Sequence, residues 1–231
     1  MNIQGLQKLT LLDYPGKVAC TIFFAGCNFR CPFCHNASLV THIDPEENIS
    51  REEVLAFLRK RAGILDGVCI TGGEPLLAPD LEAFIREIKA LGYEVKLDTN
   101  GSNAEKLKHL VKAGIIDYVA MDIKNSPEKY GMTIGIEGYE MSNVMQSAAF
   151  LMEGHVPYEF RTTVVREFHK REDFEAIGQW LEGADRYYLQ SFVDSGDLIQ
   201  PGLRGYTKEI MEQALGIVRQ YIPAADLRGM E

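Results

Sequence analysis

Apolar residues along the chain fall into two alternating patterns. Short runs rich in β-branched and aromatic residues recur at VACTIFF (18–24), GVCIT (67–71), YEVKLD (93–98), YVAMD (118–122), YEFRTTVV (158–165) and RYYLQS (186–191). Their length and composition are those of strands buried in a parallel sheet. Between them the apolar positions take helical spacing. Ser50 and Glu53 form a capping box ahead of Val54, Phe57, Leu58 and Ala62. Leu81, Phe84, Ile85 and Ile88 share one face of a helix that Gly92 stops. Asn103 caps a helix through Leu107, Leu110 and Val111, which Gly114 ends. Ser142 starts another through Val144, Met145, Ala148 and Met152 up to Gly154. Two more stripes are Phe174, Ile177, Trp180 and Leu181, then Ile210, Met211, Ala214, Leu215 and Val218 after Thr207.

Strand–helix alternation of this kind predicts an α/β fold with a parallel sheet and right-handed crossovers. Periodicity does not distinguish an open sheet from one rolled into a partial barrel. Either way, function is expected at the carboxyl ends of the strands. No polar linker or low-complexity tract interrupts the series, so residues 1–231 are expected to form a single domain.

Composition narrows the function classes. A hydrophobic content of 46% can bury a sizeable core, and a net charge of -9 argues against a globally basic nucleic-acid surface. The opening MNIQGLQKLTLLDYPG lacks the charged start and apolar segment of a signal peptide. No apolar run approaches the ~20 residues of a membrane span. The expected location is the cytoplasm, with neither nucleic acid nor membrane as partner.

Of five cysteines, Cys20 and Cys69 stand alone in apolar runs and read as small core residues. The other three, Cys27, Cys31 and Cys34, lie in AGCNFRCPFCHN (25–36) with C-x3-C-x2-C spacing, just past the run 18–24. In a chain without a secretion signal, such a cluster reads as metal-binding or catalytic. Soft thiolates on one short loop select an iron–sulfur cluster or zinc. Three leave a coordination position open, as reactive metal sites do. His35 as a fourth ligand would make a structural zinc site instead, although zinc knuckles usually bring two separated ligand pairs and no second pair exists.

The other strand ends carry polar motifs. TGGEP (71–75) places Gly72 and Gly73 where backbone can approach a ligand without Cβ interference. LDTNG (97–101) and MDIKN (121–125) put Asp98 and Asp122 at the tops of adjacent strands. Burying two carboxylates without counter-charge is costly, so either they face solvent or a cation joins them. Lys124, two positions after Asp122, is on the same strand face and could neutralise one. Arg161 inside its strand needs an anionic partner, either a ligand carboxylate or a structural Asp or Glu. His155 and His169 fall at helix–strand junctions and receive no role.

These motifs resemble those of a known family. C-x3-C-x2-C with an aromatic residue, Phe33, before the last Cys is similar to the signature of the radical S-adenosylmethionine superfamily. FFAGCNFRCPFCHN, preceded by LLDYPGKVACT, is most similar to the glycyl-radical-enzyme activating proteins, nearest to the activators of anaerobic ribonucleoside-triphosphate reductase. The resemblance implies a partial (β/α)6 barrel in which Cys27, Cys31 and Cys34 hold a [4Fe–4S] cluster whose fourth iron binds S-adenosylmethionine. It implies cofactor contacts from Phe33, Cys34, His35, Gly72, Gly73, Glu74, Asp98, Thr99, Asp122, Ile123, Lys124, Arg161 and Gln190, with Glu74 helping to hold its turn. It further implies a monovalent cation near Asp98 and Asp122, as at least one relative binds. Some relatives carry His where this chain has Gln190. The implied reaction is reductive cleavage of S-adenosylmethionine to a 5′-deoxyadenosyl radical that takes hydrogen from a glycine of a partner enzyme, with a one-electron donor such as flavodoxin or ferredoxin. The alternatives are an activator of a formate-lyase-type enzyme, a small-molecule radical enzyme such as a carboxydeazaguanine synthase, and, more distantly, a zinc-bound interaction module or an electron carrier.

Overall fold

The structure, a computed structural model, describes residues 1–230. Eight strands form one sheet in chain order: β1 (Ile3–Thr10), β2 (Ala19–Phe24), β3 (Gly67–Gly72), β4 (Glu94–Thr99), β5 (Tyr118–Asp122), β6 (Tyr158–Val164), β7 (Tyr187–Ser191) and β8 (Asp226–Arg228). All neighbours from β2 to β8 pair in parallel, and only β1 runs antiparallel to β2. The helices are α1 (Ser38–Thr41), α2 (Arg51–Lys60), α3 (Leu81–Ala90), α4 (Ala104–Lys112), α5 (Tyr130–Thr133), α6 (Ser142–Met152), α7 (Arg171–Trp180) and α8 (Lys208–Val218).

The six runs predicted as strands are β2 to β7, and the six predicted helices are α2, α3, α4, α6, α7 and α8. The sequence pattern did not reveal β1 and β8. β1 carries Gln4, Gln7 and Lys8 with little burial, and β8 is only three residues long. Three stripe residues also differ from expectation: Met145 and Ile210 are exposed at the margins of their helices' apolar faces, and Ala62 is exposed beyond the end of α2.

Side chains alternate along each strand, and the two faces of the sheet are chemically different. One face sends Cys20, Ile22, Phe24, Val68, Ile70, Val95, Leu97, Val119, Met121, Phe160 and Leu189 into the apolar core beneath the helices. Helix α3 presents Leu81, Phe84, Ile85 and Ile88 to that core, all fully buried. Each such side chain contributes about 1.5–3 kcal/mol. The Ser50–Glu53 capping box at the start of α2 is formed as the sequence predicts.

The other face is polar and concave. Residues from β3 through β7 line one common cavity at the carboxyl ends of the strands, which requires the sheet to curl into a partial barrel. Its floor is shut by Tyr14, whose ring packs on Tyr118 at 6.0 Å and whose hydroxyl donates to Glu94 at 3.3 Å. Glu159 crosses the interior just above, accepting from Tyr118 at 3.1 Å and from Arg228 at 2.9 and 3.1 Å. The fold is thus an apolar shell around a polar lumen open at one end.

Phe84 packs against Phe24 of β2 with ring centroids 6.3 Å apart, joining α3 to the strand that precedes the cysteine loop. Phe84→Ala should lower the unfolding free energy by about 3–5 kcal/mol in equilibrium urea denaturation. A loss below about 1 kcal/mol would contradict this packing.

Candidate active site

The cavity at the open end measures about 370 Å³, within the range of small-molecule sites of about 300–1,000 Å³. Cys27, Cys31 and Cys34 all line it, together with Phe33, His35, Gly72, Gly73, Asp98, Thr99, Asp122, Lys124, Arg161 and Gln190. Two other predicted contacts lie behind the wall. Ile123 is fully buried on the helix-facing side of its strand. Glu74 is 2% exposed and points away from the cavity into a nest of donors.

The cysteine loop is fixed from several sides. Gly26, at a φ of 93°, turns the chain out of β2, and its amide donates to Leu39 at 2.8 Å. Arg30 folds back to donate to the carbonyls of Cys27 and Phe29 at 2.6 and 2.8 Å. Phe29 is buried against Tyr130 and Tyr139, and Phe33 against Phe168. The segment after β7 covers the loop: Gln200 N–H donates to Pro32 O at 2.9 Å, and Ser38 Oγ donates to Asp197 at 2.8 Å.

The Gly-Gly turn is pressed against this loop. Gly73 N–H donates to Phe24 O and Glu74 N–H to Gly26 O, both at 2.8 Å. A Cβ on Gly72 would stand 2.2 Å from Phe24 O, and one on Gly73 would stand 2.1 Å from Gly26 O. Gly72 also takes a φ of 118°, a region that side chains rarely enter. Glycine is thus required twice over, for backbone shape and for close approach.

Glu74 holds the turn from below. Its carboxylate accepts from Leu76 N–H at 3.0 Å, Thr99 Oγ1 at 2.9 Å and Asn100 N–H at 2.6 Å. Burial nevertheless pushes its pKa up to about 7 against the pull of these donors. Asn100 in turn reaches Cys27 Sγ at 3.8 Å and Asn28 Oδ1 at 3.0 Å.

The three thiols are free. Burial pushes Cys31 up to about 12 and raises Cys27 and Cys34 as well, so a bound metal is what would hold them as thiolates. Among the described residues, no three Cys, His, Asp or Glu side chains converge tightly enough for a single metal ion. Cys27, Cys31 and Cys34 share one cavity wall, and an iron–sulfur cluster held by them would sit there. His35 is engaged elsewhere: Nε2 lies 2.9 Å from Val193 O and the ring stacks on Phe192 at 5.4 Å. Among the described residues His35 joins no group of three side chains that would hold a zinc ion.

Charged side chains fill the opposite wall. Arg161 donates to Asp122 Oδ1 at 3.0 Å and to Asp98 Oδ2 at 3.2 Å. Lys124 donates to Asp122 Oδ2 at 2.9 Å, and Lys96 holds Asp98 Oδ1. Burial would raise both carboxyls, yet Arg161 and the lysines hold them below the ordinary carboxylate range. Of the two partners expected for Arg161, the structure supplies the aspartates. His169, left without a role, is buried and neutral: Nδ1 accepts from Val165 N–H at 3.1 Å while Nε2 donates to Lys124 O at 2.9 Å, fixing the backbone after β5.

Sequence reasoning missed Asp13, Phe29, Asn36, Val40, Thr71, Asn100 and Thr163 on the cavity wall, and Lys96 beside it. Period two would have found Lys96 and Thr163, which stand two positions from Asp98 and Arg161. Asp13 comes from the β1–β2 loop, inside the LLDYPGKVACT segment, where nothing in the local pattern shows that it faces the cavity.

A family model for the radical SAM superfamily matches residues 21–181. A Methanocaldococcus jannaschii protein, provisionally described as a glycyl-radical enzyme activating enzyme, is 34% identical over 197 residues, 82% of this chain and 79% of that protein. The pyruvate formate-lyase-activating enzyme of Staphylococcus aureus is 25% identical over 196 residues, 80% of this chain and 76% of that protein. Among solved structures, Streptococcus suis SuiB bound to S-adenosylmethionine is similar with a TM-score of 0.70 over 90% of this chain, at 14% identity. The chain spans 52% of that protein's length, and the likeness is one of fold.

Glu74 gives the site a pH signature. Its folded pKa of about 7 exceeds the ordinary 4.5, so between these values the folded protein holds a proton that the unfolded chain releases. Stability from this group is therefore complete below the ordinary value and lost as pH rises through about 7, on the order of 3 kcal/mol in all. The difference in urea unfolding free energy between wild type and Glu74→Gln should shift in that direction from pH 4.5 to 8. A difference that is flat or of opposite slope would refute the assignment.

Proposed function

Since the chain belongs to the radical S-adenosylmethionine superfamily, we propose that it is the activator of a glycyl-radical enzyme, with an anaerobic ribonucleoside-triphosphate reductase as its partner. The observation that carries the reading is one cavity with three thiols on one wall and fixed charges on the other. The family implies a [4Fe–4S] cluster and S-adenosylmethionine, and Cys27, Cys31 and Cys34 are the residues that would hold the cluster. The chemistry supplied when both are bound is reductive cleavage of the carbon–sulfur bond, giving methionine and a 5′-deoxyadenosyl radical that takes hydrogen from the target.

The chain's own residues bind, orient and exclude. The Gly72–Gly73 shelf offers backbone groups beside the cysteine loop for an amino group. Lys124 and Arg161 present cationic groups for a carboxylate. Thr163 and Gln190 stand on the far wall for ribose or adenine, with Gln190 serving as an amide donor and acceptor where some relatives use His. The closed floor under Tyr14 and the buried Phe29 and Phe33 keep water and stray hydrogen donors from the reacting end. No general acid or base is needed, and all five histidines are engaged elsewhere: His35 and His169 bond backbone carbonyls, His42 bonds Thr41 Oγ1, and His109 and His155 pair with Glu82 and Glu153.

A glycyl-radical enzyme as partner is supported by the M. jannaschii relative's description, and the choice of the anaerobic reductase rests on the sequence around the cysteine loop alone. A one-electron donor of the flavodoxin or ferredoxin class completes the system. The S. aureus relative supports the second reading, activation of a formate-lyase-type enzyme. Residues 1–231 as a single domain is part of the proposal.

Three outcomes are expected. Anaerobically reconstituted wild type should be brown and yield 5′-deoxyadenosine under reductant, whereas Cys31→Ala should lose at least ~1,000-fold in rate, more than 4 kcal/mol of barrier. Residual cleavage near wild type would sink the assignment. Incubation with the anaerobic reductase should give a glycyl-radical electron paramagnetic resonance doublet; a signal only with a formate-lyase-type protein would move the assignment to that partner. Gly73→Ala, whose Cβ meets Gly26 O at 2.1 Å, should retain much less iron per chain than Gly216→Ala, which meets nothing within 4 Å. Equal iron in the two would contradict the wedge between turn and loop.

A further inference from the structure

Two aspartates at neighbouring strand ends ordinarily need a cation between them, and the family resemblance implies a monovalent metal ion there. The donor set does not fit one. Each of the four carboxylate oxygens of Asp98 and Asp122 is already engaged by a cationic side chain. Asp98 Oδ1 takes Lys96, Asp98 Oδ2 takes Arg161 at 3.2 Å, Asp122 Oδ1 takes Arg161 at 3.0 Å, and Asp122 Oδ2 takes Lys124 at 2.9 Å.

Lys96 is the telling member. Its side chain is 1% exposed, so the ammonium cannot swing into solvent to make way. Strand periodicity fixes it on the same face as Asp98. Its other near neighbours cannot take over the charge. Cys69 Sγ, 3.8 Å away, belongs to a thiol whose pKa burial raises well above the ordinary value, and Glu159 is already forked by Arg228 at 2.9 and 3.1 Å. The third carboxylate on the cavity wall, Asp13, accepts from Thr21 Oγ1 at 2.5 Å. A sodium or potassium ion set against Asp98 and Asp122 would face an ammonium and a guanidinium at contact distance in a buried setting, where like charges repel strongly.

We propose that the chain carries its own cation at this place: the Lys96 ammonium, with Arg161, substitutes for the monovalent metal ion, and cofactor binding is independent of sodium and potassium. Lys96 is a positioning residue in this scheme. It holds Asp98, and through the shared Arg161 it holds Asp122 and Lys124 in the geometry that receives the cofactor. The proposal rests on the S-adenosylmethionine reading above, and its test separates the two.

The test compares chloride salts of choline, sodium and potassium at one ionic strength. In the reconstituted holoenzyme, wild type should bind S-adenosylmethionine with dissociation constants equal within about twofold in all three, because no ion is linked to binding. Lys96→Met, which keeps the length and removes the charge, should bind roughly tenfold or more weakly in choline and recover to within about threefold in sodium or potassium. Lys96→Arg should remain indifferent to the salt. A second readout needs no cofactor: the thermal midpoint of the metal-free protein should be the same in the three salts for wild type and should rise with sodium or potassium for Lys96→Met.

Wild-type affinity that improves about tenfold in sodium or potassium over choline would overturn the proposal, as would a Lys96→Met protein blind to the salt in both readouts. If Lys96→Met does not fold, the wild-type salt comparison decides alone. If wild type binds no S-adenosylmethionine in any salt, the cofactor reading fails, and the midpoints still decide whether a metal ion is excluded.

Discussion

A single buried carboxylate organises the open end of this barrel. Glu74 accepts from Leu76, Thr99 and Asn100, joining the end of β3 to the end of β4, while its own amide is bonded to Gly26 at the root of the cysteine loop. Asn100 extends the tie to Cys27. Loop, glycine turn and the next strand end are thus one hydrogen-bonded unit in which no member can move alone. The cost of burying the carboxylate is accepted because three donors and two strand ends are satisfied together.

The sheet divides its labour by face. Outward residues are mostly apolar and pack beneath the helices, whereas the inward face carries the ion pairs, from Glu159 above the Tyr14 floor to the Asp98–Arg161–Asp122 rim. A lumen lined this way would be unstable if any charge were left single. The structure meets that demand by alternation: Lys96 with Asp98, Arg161 between two aspartates, and Arg228 with Glu159. A preorganised row of opposite charges needs no rearrangement to receive a polar ligand.

Much of this was legible in the sequence. The strand and helix runs carried the architecture because each buried face imposes its period on the residue pattern. The cysteine spacing and the TGGEP, LDTNG and MDIKN motifs marked the rim because they fall where parallel strands end. What stayed hidden depended on partners distant in the chain. The pairing of β1 is mostly solvent-exposed, Asp13 arrives from a loop, and Lys96 reads as an ordinary surface lysine until its strand is known to face a lumen. Glu74 holds its turn as the resemblance implies, yet its side chain and that of Ile123 turn away from the cavity, since a motif gives position along the chain but not which way the side chain turns.

The cover over the cysteine loop comes from residues 192–200, distant from it in the chain. Pro32 is bonded by Gln200, Ser38 by Asp197, and His35 lies against Phe192 and Val193. During synthesis at roughly 5–20 residues per second, these thiols leave the ribosome many seconds before their roof does. Assembly of any thiol-bound centre is thereby placed after residues 192–200 have emerged, and until then the sulfurs stand open to oxidation.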